Sequence, residues 1–126
     1  MAPLPTSGVL ASLADLLAVP PDQGGAVWRL SQADRQMDSN LIRLRPGHRV
    51  DGHVEPELDV LLCVLAGSGG LVTDGERQEL AAGCVAWLPR GTHRALYAGE
   101  DGLVYVTAHR RRPGLTITRS SASGIS

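Results

Sequence analysis

The densest chemistry in the chain lies in residues 47–67, GHRVDGHVEPELDVLLCVLAG. His53 and Glu55 stand two residues apart there, just ahead of the apolar run VLLCVL at 60–65. On a strand, residues i and i+2 share a face. An imidazole and a carboxylate projecting together could serve as two ligands of a divalent metal. The same spacing also describes an ordinary polar pair at a strand end. Asp59 is a further carboxylate candidate; its alternative reading is a surface turn residue after Pro56-Glu57.

Other chemistries find less support. Neither Cys63 nor Cys84 has a charged activator nearby in sequence, and no serine sits in a GxSxG elbow. Both cysteines fall in apolar runs and match no zinc spacing, which reads as buried, reduced thiols. GlySerGlyGly at 67–70 lacks the lysine and helix context of a phosphate loop. The basic run HisArgArgArg at 109–112 reads as a solvated strand exit, with His109 capping the strand end. His48, after a ProGly turn, reads as solvated.

These residues must be positioned by short strands. The chain has 126 residues, 15 Gly and 8 Pro, enough for one domain with one core. It has no Phe and only two Trp and two Tyr, so the core must be Leu, Val and Ala. That composition, with a net charge of -1, argues against a stacking platform for nucleic acid. No segment approaches the roughly 20 apolar residues that span a bilayer. Asp15 interrupts the first apolar stretch, and no Lys or Arg precedes it, so a signal peptide is not expected and a cytoplasmic protein is.

Residues 7–18, SGVLASLADLLA, have helical apolar spacing, with Ser7 as cap and ValProPro at 19–21 as stop. Strands are expected at 26–30, 39–45, 60–65, 71–73, 76–80, 84–88, 94–97 and 103–108, with another across the segment leading to His53. Turns are expected at 67–70, at AspGly 74–75, and at 99–102. Strands this short and frequent suggest a sandwich or barrel.

Two stretches resemble the motifs of the cupin superfamily. In the first, G-x5-H-x-H-x3,4-E-x6-G, Gly47, His53 and Gly67 match; Glu55 stands at the second His, and Val60 at the Glu. In the second, G-x5-P-x-G-x2-H-x3-N, Gly83, Pro89 and Gly91 match; Arg94 stands at the His, with His93 one residue early, and Ala98 at the Asn. The resemblance spans roughly residues 38–109 and implies an all-β antiparallel jelly-roll barrel with a short N-terminal α-helix packed outside it. The expected organisation is an N-terminal helix and linker at 1–24, a barrel at 25–118 and a flexible tail at 119–126.

The resemblance implies a site inside the barrel, and strand parity gives two versions of it. If Arg94 keeps the family position it points inward and His93 outward; a bulge or a shortened loop would reverse them. With His93 inside, His53, Glu55 and His93 would hold Fe, Mn, Ni, Cu or Zn for an oxygenase, isomerase or lyase. With Arg94 inside, His53, Glu55 and Arg94 would bind an anionic small molecule without metal, as in an accessory or sensing module. The latter is preferred because Val60 replaces the family carboxylate. A homodimer is expected, through the apolar helix and the 26–30 strand.

Overall fold

The computed structural model describes residues 7–18, 20 and 23–112. A single helical turn, α1 (Leu13–Leu16), precedes seven strands: β1 (Gly25–Arg29), β2 (Met37–Leu44), β3 (Arg49–Val54), β4 (Val60–Thr73), β5 (Glu76–Ala81), β6 (Val85–Leu88) and β7 (His93–Arg110). Every pairing is antiparallel. The hydrogen-bonded path runs β1-β2-β7-β4-β5, with β3 added to β7 and β6 to β4. The all-β expectation holds, but the sheet is not closed into a barrel. Among the described residues, no helix is long and apolar enough to cross a membrane.

The two long strands carry the architecture. β4 has 14 residues and β7 has 18. The second part of β7 lies between β2 and the first part of β4, which β6 extends. The first part of β7 lies between β3 and the second part of β4, which β5 extends. Leu62, Leu103 and Tyr105 from one half share a single core cluster with Leu71, Leu80 and Leu96 from the other. The halves therefore face each other across that core.

The turns expected at 67–70 and 99–102 are bends inside strands instead. The β4–β7 ladder shifts register between Val64 and Ala66 and again between Gly67 and Gly69. Gly67 and Gly102 hold positive φ angles of 79° and 78°. A Cβ on Gly69 would collide with the carbonyl of Tyr97, and one on Gly67 with the carbonyl of Gly102. Glycine here lets two strands bend together at close approach, where the same residues elsewhere would reverse the chain. The AspGly turn does form: Asp74 and Gly75, both at positive φ, join the Thr73–Glu76 pair.

The N-terminal helix is shorter than expected, and its Leu13 and Leu16 are only half-buried. Ser12, not Ser7, precedes it, without a side-chain cap, and none of its residues is buried. Val9 is 94% exposed. One turn fixes several dihedrals for very few hydrogen bonds, so it does not propagate without tertiary support. Val19 and Pro21 of the expected stop lie outside the described residues, as do the barrel's expected end at 113–118 and the tail at 119–126. Both cysteines are free and half-buried.

The outer face of the first half is unusually apolar. Trp28, Leu41, Val106, Cys63 and Val85 follow one another across five strands, and Leu61 pairs with Trp87 in the next row. Val85 and Trp87 remain 65% and 59% exposed.

Leu62, 1% exposed, should cost about 2–5 kcal/mol of unfolding free energy when changed to Ala. Gly69→Ala should cost about 1–3 kcal/mol, since the obstructing atom is backbone and cannot swing away. Urea denaturation measures both; a Gly69→Ala protein as stable as the parent would refute the close crossing of β4 and β7.

Candidate functional site

Strand alternation builds the interior walls. On β2, Asp38, Asn40, Ile42 and Leu44 share the inner face; on β7 they pair with His109, Thr107, Tyr105 and Leu103. The two rows grade together from leucine at one end to carboxylate and imidazole at the other. Val60 and Leu62 of β4 and Leu88 of β6 add apolar wall. The other half contributes Arg49, Val50 and His53 from β3, and Arg94 and Leu96 from β7. Together they line a partly open cavity of about 770 Å³, which Arg29, Arg35 and Arg112 also line.

A bulge decides which residues of β3 face inward. Val50 pairs with Leu96, and His53 with Arg94, so β3 spends one more residue than β7 between the two pairs. Without that extra residue, positions 50 and 53 would point to opposite faces. With it, both line the cavity. β7 stays regular, so Arg94 and Leu96 point in and His93 points out. A Cβ on Gly52 would run into the His93 ring, which therefore lies against the outer face of β3.

Arg94 is the anomaly of the cavity. Its residue is 2% exposed, and its Nη1 is buried with no hydrogen-bond partner. Burial pushes the guanidinium below its ordinary pKa, and the negative charge of Glu55 opposes that shift. Thr107 Oγ1 is also buried and unpartnered. His53 Nδ1 lies 3.2 Å from the Asp51 carbonyl, and His109 Nδ1 lies 2.8 Å from the Arg110 carbonyl. A carbonyl only accepts, so each contact suits the tautomer with the proton on Nδ1, which leaves Nε2 as the accepting nitrogen of the neutral ring. Burial pushes the Tyr105 phenol up, which keeps it protonated.

Solved structures share this architecture. A cupin superfamily protein from Desulfitobacterium hafniense is 21% identical, over 85% of this chain and 94% of its own, with a TM-score of 0.67. A double-stranded β-helix protein from Klebsiella pneumoniae is 15% identical, over 82% of this chain and 90% of its own, with a TM-score of 0.68. The fold is a cupin fold. The cupin domain of Schizosaccharomyces pombe Cnp3 is 13% identical over 68% of this chain, with a TM-score of 0.61; the chain spans 63% of that domain's length. No protein-family model matches the sequence, and no curated protein matches it.

The cupin ligand positions do not fit a metal here. His53 lines the cavity, but Val60 and Arg94 stand beside it at family positions and cannot ligate a cation. The trio His53, Glu55 and His93 does not come together: His93 is on the outer face, and Glu55 lies off the cavity wall. β3 ends at Val54, so the two-residue alternation that should carry Glu55 inward stops one residue early. Among the described residues, no three His, Cys, Asp or Glu side chains group closely enough to hold a metal ion. Asp59 is likewise elsewhere, accepting hydrogen bonds from the Arg90 amide and guanidinium at 2.8 and 3.0 Å.

Glu55 is scaffold of the cupin turn. Its Oε2 accepts the amides of Glu57 and Leu58 at 2.8 and 3.2 Å, and its Oε1 takes Arg112 at 2.8 Å. Its own carbonyl accepts the Gly91 amide, tying the two motif loops together. Arg112 is not expected at the site from sequence, and His109 reads first as a strand-end cap, with the pocket as the lesser alternative; both line the cavity. The signal for His109 lay in the shared face of Leu103, Tyr105, Thr107 and His109 on one strand. Asp38 and Asn40 were missed because nothing but the parity of β2 marks them.

Burial pushes the Glu55 carboxyl up, but the two amides and Arg112 outweigh it and hold the group below its ordinary value of 4.5. Asp38 is held low in the same way, against burial, chiefly by Arg35 and the Arg112 amide. A depressed folded-state pKa stabilises above the unfolded value and loses that effect as pH falls through the folded one. Stability should therefore drop on acidification below 4.5. Glu55→Gln should be less stable at neutral pH and show a shallower drop as pH falls below 4.5. Parallel wild-type and Glu55→Gln pH–stability curves would exclude this role.

Proposed function

We propose that this cupin-fold protein is a small-molecule-binding module that takes an anionic ligand into its interior cavity, with Arg94 as anchor and His53 beside it. One observation carries the reading: a guanidinium 2% exposed, among apolar walls, with a buried nitrogen that no protein atom satisfies. A buried unpaired cation is expensive, and its cost is offset when an anion binds. A planar guanidinium suits a carboxylate, and a low-dielectric enclosure strengthens the pair. His53 accepts through Nε2 when neutral and donates when protonated, so it can meet either form of an acid. The metal-dependent oxygenase, isomerase or lyase reading needs His53, Glu55 and His93 together, and their placement does not favour it.

The reading predicts that cyclohexanecarboxylate raises the melting temperature saturably relative to chloride at equal ionic strength, and that cyclohexanecarboxamide does not. Arg94→Met should abolish the response and melt no lower than the parent without ligand, since an unpaired charge is removed. An unchanged response in Arg94→Met would overturn the anchor. Elemental analysis of protein purified without chelators or a His-tag should find metal well below stoichiometric; stoichiometric Fe, Mn, Ni, Cu or Zn, lost in His53→Ala, would restore the metal-enzyme reading.

The proposal includes a homodimer. The outer apolar face around Leu61, Val85 and Trp87 carries no charged side chain in its two pairing rows. A two-fold contact sets a patch against itself, so a patch without charge pairs with its own copy free of like-charge repulsion. Light scattering should give twice the mass of one chain at micromolar concentration, and Trp87→Glu should return it to one; a wild-type monomer would overturn the dimer.

A further inference from the structure

Thr107 supplies a second unsatisfied atom, and it narrows the ligand. Its Oγ1 is buried, its residue is 2% exposed, and it lines the cavity without a hydrogen-bond partner. It sits in the second part of β7, paired with Asn40 and Leu62, whereas Arg94 sits in the first part, paired with His53 and Thr73. The two orphaned groups thus stand on different halves of the sheet and do not satisfy each other. A hydroxyl of this kind donates one hydrogen bond and accepts others, so a ligand oxygen can partner it.

Among the arginines of the cavity, the ion pairs leave one buried charge for a ligand to meet. Arg35 is paired with Asp38, Arg49 with Asp51, and Arg112 with Glu55. Arg29 is exposed, where water screens it. Among the cavity's described arginines, Arg94 alone is both buried and outside any ion pair, and one monoanion neutralises it. A dianion such as phosphate would bury a surplus charge. The lining offers Val60, Leu62, Leu88 and Leu96 to an apolar body, while its polar side chains Asn40, Tyr105 and His109 neighbour Thr107 on β2 and β7. The volume of about 770 Å³ falls in the range of roughly 300–1,000 Å³ usual for small-molecule sites.

Resting on the anion reading at Arg94, we infer that the ligand is a monocarboxylic acid with a mostly apolar body and one further oxygen, a hydroxyl or keto group, which Thr107 recognises. Arg94 holds the carboxylate and supplies most of the affinity. Thr107 is the specificity-determining residue: an acid lacking the second oxygen leaves its hydroxyl buried and unpaired.

The test is calorimetric titration of the wild type, Thr107→Val and Arg94→Met with cyclohexanecarboxylate, its 3-hydroxy, 4-hydroxy and 4-keto analogues, and inorganic phosphate. On the wild type, at least one oxygen-bearing acid should bind about tenfold tighter than the parent acid. On Thr107→Val that preference should vanish while the parent acid binds as well or better, and no acid should bind Arg94→Met. Thr107→Val should fold with an unchanged or higher melting temperature, having lost an unsatisfied hydroxyl. If all the acids bind the wild type equally and Arg94→Met binds none, the role of Thr107 is wrong and the anion anchor stands. If no acid binds the wild type, or phosphate binds as tightly as they do, both readings fail.

Discussion

The pairing of β4 with β7 is the constraint on which the rest depends. Each strand runs through both halves of the sheet, so every other strand finds its place as a neighbour of one of them or, for β1, of β2. The two can bend together only where backbones approach closer than side chains allow, and Gly67 and Gly69 supply that approach. The bend turns the inner faces toward each other and makes a cavity out of what would be one flat surface. Side chains from widely separated positions, Asn40, His53, Arg94 and Thr107, then share one enclosure.

The enclosure separates two kinds of charge. Arg77–Glu79 and Arg90–Asp59 are largely exposed pairs, where solvent and side-chain entropy leave little net energy. Arg94 is the opposite case: it gives up hydration without gaining a partner, and the leucines around it deepen that loss. A core selected for stability alone would fill this position with Leu or Met. Its neighbour Glu55 softens the cost at a distance through its charge, while its oxygens stay committed to the 55–58 turn and Arg112.

Much of the fold was legible in the sequence and less of the site. Alternation and turn residues located the strands, and the glycine–proline framework around 47, 67, 83, 89 and 91 pointed to the cupin architecture. Reading 67–70 and 99–102 as reversals failed because glycine marks a bent crossing as readily as a turn, and only the partner strand distinguishes them. At the site, His53 was legible by motif and Arg94 by strand parity, though parity alone left His93 as a rival. Glu55 misled because strand spacing was extended past the last strand residue. Thr107 carries no signature at all: its unpaired hydroxyl is a property of what surrounds it.

The β3 bulge places control of the pocket in chain length. His53 faces inward because one additional residue separates it from Val50, relative to the opposing stretch of β7. Deleting Gly52 would restore simple alternation and turn the imidazole to the outside while every side chain kept its identity. A one-residue change of length in β7 after Gly91 would likewise exchange Arg94 for His93, replacing a guanidinium of the interior with an imidazole. Homologous chains on this scaffold can thus diverge in chemistry by single-codon insertions and deletions, a route that substitution-based comparison of aligned positions would not register.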